Sequence, residues 1–152
     1  MTRTQLILTA TAGSIALLGG AFVFQLLGYA PCKMCYWQRW PHALAIFMGT
    51  LALVQPKFQR GLAALGACAA GLTGLIGIYH AGVEQKWWEG PTSCTGNGAS
   101  LENVDLLSTD IAPIVLCDEI VWSLMGITMA GFNAIFSLVL VTVWIKAAKI
   151  NG

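Results

Sequence analysis

In a chain of 152 residues, 57% are hydrophobic and only 10% are charged, too few polar side chains to cover a water-soluble domain. That balance excludes an ordinary soluble globule and points to a membrane protein. A formal net charge of +1 excludes a strongly basic nucleic-acid footprint and leaves long-range electrostatics little influence over partners.

The first charge-free run, Gln5 to Ala30, is long enough to cross a hydrocarbon core that needs roughly 20 helical residues. It exceeds the roughly 7–15 apolar residues of a signal-peptide core and lacks a small-x-small exit, so it reads as a span. A short outer segment, residues 31–39, carries Cys32 and Cys35. The second run, 40–56, is the shortest, and Pro41 and His42 place its first turn among headgroups, where a proline near the helix start costs little. A basic turn with Lys57 and Arg60 leads to the third run, 61–83. Small residues such as Gly61, Ala63, Gly66, Ala70, Gly74 and Gly77 crowd this span and allow close helix approach in a medium with no hydrophobic drive for association.

The second outer loop, 84–119, holds all seven acidic residues together with Cys94 and Cys117. Within it Leu101, Val104, Leu107 and Ile111 recur at helical spacing, which predicts a short amphipathic helix on the outer membrane surface. Trp87 and Trp88 are expected to anchor the entry to this loop. The fourth run is 120–145. Lipid offers no partner for an unpaired backbone group, and no barrel-like alternation is present. The expected fold is therefore an all-α bundle of four transmembrane helices, a single membrane domain over residues 1–152, with the amphipathic helix in its second outer loop.

Arg3, Lys57, Arg60, Lys146 and Lys149 share one side of this arrangement, against Lys33, Arg39 and Lys86 on the other. The basic-residue rule then puts both termini in the cytoplasm and both cysteine-bearing segments outside, where disulfides persist. Two thiol pairs at one membrane face can pass two electrons between a water-soluble partner and a lipid-soluble one. A C-x-x-C pair forms a readily exchanged disulfide whose thiolates respond to nearby positive charge. Its rivals are a static structural disulfide and half of a zinc site. Zinc would need two further placed ligands, and Cys94 and Cys117 form no second C-x-x-C.

Arg39 lies four residues beyond Cys35, on the same helical face. It suits either a quinone carbonyl and its developing oxyanion or a snorkelling anchor beside Trp37 and Trp40. His80 closes the third span on the outer side, as a quinone hydrogen-bonder or an interfacial cap. Cys68, mid-span among alanines and glycines, reads as a small packing residue with no redox role.

The combination of Cys32-x-x-Cys35 followed by Arg39 at the start of a second span, Tyr79-His80-Ala81-Gly82-Val83-Glu84 ending the third, and Ser93-Cys94-Thr95-Gly96 in a long loop resembles the bacterial disulfide-bond formation protein B (DsbB) family along nearly the whole chain. The resemblance implies an inner-membrane thiol:quinone oxidoreductase using ubiquinone or menaquinone. Cys32 and Cys35 would be the quinone-coupled pair, with Cys35 nearest the quinone. Cys94 and Cys117 would be the pair that oxidises a periplasmic DsbA-type thioredoxin-fold protein through attack at Cys94, and Arg39 would be the quinone-site arginine. Alternatives are a vitamin-K-epoxide-reductase-like protein or another membrane thiol reductase, and a non-catalytic scaffold with structural disulfides or zinc.

Reporter fusions test the orientation. Fusions after Gln59 and after Asn151 are expected to report cytoplasm, and an insertion near Asn97 the outer side. An external signal at either of the first two positions would invert the reading.

Overall fold

The computed structural model describes residues 1–95 and 115–150. Among them are four long α-helices: α1 (Arg3–Leu26), α2 (Lys33–Val54), α3 (Gln59–Glu84) and α4 (Met129–Lys149). At about 1.5 Å per residue, each is longer than about 30 Å, the thickness of a hydrocarbon core. By length and composition, three stretches qualify as membrane spans: Arg3–Leu26, Pro56–Glu84 and Met129–Lys149. The α2 helix is outside that set. Its first half carries Lys33, Gln38, Arg39 and His42. The amphipathic helix expected over 101–111 lies outside the described residues.

Local chemistry sets the helix ends. Thr2 and Gln5 cap α1 reciprocally: the Gln5 amide donates to Thr2 Oγ1 (3.2 Å) and the Thr2 amide to Gln5 Oε1 (2.8 Å), which satisfies two otherwise orphaned donors. Cys32 caps α2, its sulfur accepting from the Cys35 amide at 3.2 Å. With that cap the helix begins at Lys33, and Pro41 lies inside it rather than in its first turn as expected. A 3-10 turn, Pro56–Phe58, joins α2 to α3.

The last helix also begins elsewhere than the apolar run suggests. Residues 120–128 were expected inside the fourth span, but Ser123–Leu124 (β1) and Ile127–Thr128 (β2) pair as a small antiparallel hairpin. Met125 (φ 53°) and Gly126 (φ 80°) turn it, a left-handed pair matching the twist of two-residue hairpins. Thr128 then caps α4 by accepting from the Gly131 amide at 3.2 Å. A hydrophobic run does not distinguish apolar turn residues from the helix that follows them.

The helices form a ring in which each packs on its chain neighbours and α1 closes onto α4. The inward stripe of α3 runs Ala63, Gly66, Ala70, Gly74, Gly77, His80 and Glu84, small at one end and polar at the other. Trp144 of α4 is fully buried against it, in a core with Leu6, Ile7, Ala10, Ala52 and Leu140. A Cβ on Gly66 would come within 2.9 Å of the Trp144 ring, so the indole fits only because that side chain is missing. Gly49 does the same between α1 and α2, where a Cβ would overlap Thr11 Oγ1. Outward, Leu8, Ile15, Phe47, Leu72, Leu75 and Val139 are exposed, a surface suited to lipid. Cys68 is exposed on this outer side. It is not the interior packing residue expected, because the small inward stripe passes through Gly66 and Ala70 instead.

These close approaches predict a contrast. Gly49→Ala overpacks the buried α1–α2 contact and is expected to destabilise the protein by about 1–3 kcal/mol. Gly61→Ala, which meets nothing within 4 Å, is expected to be neutral or slightly stabilising. Thermal unfolding in detergent measures both, and equal effects would remove the close-approach argument.

Candidate thiol site beside an apolar cavity

The polar end of the α3 stripe meets the first turn of α2. Because Cys32 caps that turn and Cys35 lies within it, the two sulfurs stand 2.9 Å apart as free thiols. Cys94 and Cys117 are joined in a disulfide, and the Cys117 amide donates to the Cys94 carbonyl at 2.6 Å. Cys32, Met34, Val83, Cys94 and Cys117 form one buried cluster, with Cys35 and Val115 packed against it. All four cysteines singled out in the sequence therefore meet at one end of the bundle.

The loop that brings Cys94 there is fastened to the end of α3. Trp88 stacks on Tyr79 (6.1 Å between ring centres) and donates to the Tyr79 carbonyl at 2.8 Å, so the tryptophan anchor expected at the loop entry is Trp88. Lys33 donates to Ser93 Oγ at 3.1 Å. Lys86 pairs with Asp118 at 2.5 Å, holding the return strand of the loop.

His80 is buried, not an interfacial cap: its Nε2 is 3.5 Å from Cys32 Sγ and 3.8 Å from Glu84 Oε1. A chain of amide bonds fixes its tautomer. Asn133 Nδ2 donates to Gln38 Oε1 (2.8 Å) and Thr73 Oγ1 (3.2 Å). Gln38 is thereby oriented with its Nε2 toward His80 Nδ1, 2.8 Å away, and the Met34 carbonyl. Nδ1 is then the acceptor, and Nε2 carries the hydrogen facing the Cys32 sulfur. Cys32, Cys35 and His80 are close enough together to share a metal ion, but a ligating Nε2 must be bare. This network gives it a proton, and His80 also hydrogen-bonds the Cys117 backbone, so the ring stands as a donor between the two cysteine pairs.

One hydrogen bond joins the two thiols. Donation from the Cys32 thiol holds the Cys35 thiol below its ordinary range, aided by the Arg39 charge, while that same bond and burial push the Cys32 thiol up. Both lie in the turn ahead of the apolar part of α2.

Beside the pair lies a cavity of about 340 Å³ between α1, α2 and α4, lined by Cys35, Arg39, His42, Phe24, Trp122 and Asn133 among others. Arg39 is clamped at its edge. The guanidinium donates to Gln25 Oε1 (2.7 Å) and the Ala21 carbonyl (3.3 Å), with the Phe22 and Tyr36 rings 4.9 and 5.1 Å from it. Its Nε is buried without a partner. Gln38, His42, Thr73, Glu84 and Asn133 were not among the residues expected at a site. The signal for three of them was present, since His42, Thr73 and Asn133 are polar residues within apolar runs, where such side chains tend to be functional.

A helical membrane bundle that gathers a free C-x-x-C pair and a disulfide in one buried cluster has the make-up of a membrane oxidoreductase acting on disulfides. The particular family follows from comparison: the family described as disulfide bond formation protein DsbB matches residues 3–147, and the chain belongs to it. Disulfide bond formation protein B 2 of Pseudomonas aeruginosa PAO1 and protein B 1 of P. aeruginosa UCBPP-PA14 are each 30% identical over 146 residues, 91% of this chain and 86% of each relative. An uncharacterised protein of Rickettsia prowazekii is 22% identical over 133 residues, 84% of this chain and 77% of that relative. No solved structure matches the chain. Family membership implies disulfide bond formation, and the apolar helices fit a bacterial inner-membrane protein.

The hydrogen bond between the thiols makes a checkable statement. Cys32→Ala removes the donor that holds Cys35 low, so the midpoint for alkylation of reduced Cys35 against pH is expected to rise. An unchanged midpoint would show that the Cys32 hydrogen bond does not govern Cys35.

Proposed function

We propose that this protein reoxidises a DsbA-type thioredoxin-fold dithiol oxidase in the periplasm and delivers the electrons to a membrane quinone, ubiquinone or menaquinone. The observation that carries the reading is the single cluster holding both cysteine pairs beside an apolar cavity edged by a clamped arginine. In this reading α2 is the fourth span, both termini are cytoplasmic and the cysteines face the periplasm, as the basic residues suggest.

A partner thiolate attacks Cys94, forming a mixed disulfide and releasing Cys117 as thiolate. The partner's second thiol closes its own disulfide and frees Cys94, leaving two electrons on Cys94 and Cys117 as one thiol and one thiolate. Cys117 then exchanges with an oxidised Cys32–Cys35 pair, restoring the loop disulfide and leaving the C-x-x-C dithiol. His80, whose Nε2 lies 3.5 Å from Cys32 Sγ, stabilises charge on that sulfur while it is a leaving group. Cys35, with the lower thiol pKa, presents the more nucleophilic sulfur to the cavity.

A quinone fits the cavity's chemistry: apolar walls for a ring, and the Arg39 guanidinium at its edge for an oxygen. When bound it supplies the capacity to accept two electrons and two protons. That capacity is needed, because on the established redox scale a DsbA-type pair lies near about −120 mV, too oxidising for an ordinary disulfide to regenerate.

The decisive residue to test is Arg39. Arg39→Ala is expected to lower quinone-coupled turnover on the order of 100-fold, leaving single-turnover exchange between the partner and Cys94–Cys117 near normal. Arg39→Lys should restore only part, since an ammonium lacks the planar fork. Intact quinone kinetics per folded molecule in Arg39→Ala would make the residue an anchor and overturn its assignment.

A further inference from the structure

Cys32 Sγ, Cys35 Sγ and a ring nitrogen of His80 all lie within 4.8 Å of one another. Two thiols and an imidazole at that spacing make up most of the ligand set of a zinc site, in the same corner that serves the disulfide chemistry. One hydrogen separates the two uses. Zinc takes an imidazole nitrogen only as a bare lone pair, with the ring's hydrogen on the other nitrogen. For His80 to ligate through Nε2, the atom on the Cys32 side, that hydrogen must move to Nδ1.

Gln38 opposes the move. It is only 6% exposed, and its Nε2 lies 2.8 Å from His80 Nδ1 and 3.3 Å from the Met34 carbonyl. A carbonyl only accepts, so the Gln38 atom beside it is the amide nitrogen. Asn133 fixes the other end of the side chain, donating to Gln38 Oε1 at 2.8 Å. A hydrogen on His80 Nδ1 would therefore meet a donor. Turning the amide over to receive it would set the Gln38 oxygen against the Met34 carbonyl and the Gln38 nitrogen against the Asn133 donor, so the bonds to both would be lost as well.

We propose that the Cys32–Cys35–His80 corner is a latent site for a thiophilic divalent cation such as zinc, and that Gln38 is the positioning residue that keeps it closed by holding the His80 hydrogen on Nε2. The consequence is chemical specificity. A dithiol that must close to a disulfide is lost to that reaction while a cation holds both sulfurs, and a histidine kept as a donor contributes no ligand to such a complex. The lock is made by protein atoms alone, so it holds whether or not the neighbouring cavity takes a quinone.

Zinc binding to the reduced, full-length protein in detergent tests this. Cys94→Ser and Cys117→Ser are present throughout so that the loop thiols do not compete, and Cys68 contributes equally to every variant. Gln38→Glu puts a carboxylate where the amide was, able to receive a hydrogen from Nδ1 while still accepting from Asn133, the arrangement that supports metal-ligating histidines. It is expected to tighten zinc binding about 10- to 100-fold, the usual weight of such a partner. Gln38→Met neither donates nor accepts, so it frees the ring and is expected to fall between the parent and Gln38→Glu; it decides alone if Gln38→Glu does not fold. Adding His80→Ala to Gln38→Glu should abolish the gain. Nitrogen NMR of the metal-free protein gives a readout that packing does not move: His80 Nδ1 is expected to be bare in the parent and to carry a hydrogen in Gln38→Glu. A hydrogen already on Nδ1 in the parent, zinc affinity unchanged by both substitutions, or a gain that survives His80→Ala because the new carboxylate is itself the ligand overturns the proposal.

Discussion

The hydrogen bond from Asn133 to Gln38, 2.8 Å long between α4 and α2, is the contact on which the arrangement of the site depends. A bundle in lipid has no water to satisfy its interior polar groups, so they must satisfy one another. Here they do so directionally. Asn133 spends both hydrogens on Gln38 and Thr73, Gln38 spends its own on His80 and the Met34 carbonyl, and Thr73 returns its hydroxyl hydrogen to the Gln38 carbonyl at 3.0 Å. Each amide has one orientation that satisfies this set, and that orientation determines which nitrogen of each histidine is protonated. Three helices are thereby locked at the level of the chemistry by polar bonds, while Gly49, Gly66 and the alanines of α3 let their apolar parts close below it.

Reactivity at the thiols follows from the same economy of partners. The C-x-x-C pair occupies the first turn of α2, with Cys32 as the cap, so the Cys32 sulfur is tied to the backbone while both cysteines border the cavity. Burial alone would make both thiols inert. The hydrogen bond between the thiols, the Arg39 charge and the His80 hydrogen distribute the electrostatics unevenly, separating a sulfur suited to leave from a sulfur suited to attack. Arg39 can contribute because α1 immobilises it: Gln25 and the Ala21 carbonyl take its outer hydrogens, and two aromatic rings cover its faces.

Much of this was legible in the chain. Its class followed from composition, the long helices from charge-free runs, the cysteines and Arg39 from residue type and spacing, and His80 from the family resemblance. Helix starts were less so: a side-chain cap places the beginning of α2 at Lys33, and a left-handed Met125–Gly126 turn delays α4 to Met129. Both are decided by a few atoms that hydropathy does not register.

What the sequence determined by itself was a membrane protein with two cysteine pairs in the segments between apolar runs, because burial in lipid and cysteine spacing are both written in residue identity. The tertiary structure alone decided that His80 faces Cys32 rather than the interface, that Cys68 looks outward, and that Gln38, Thr73, His42 and Asn133 form one network. These residues lie up to 95 positions apart, and hydrogen-bond direction between distant residues depends on how the helices meet. Nothing local to any of them records which neighbour will supply the hydrogen.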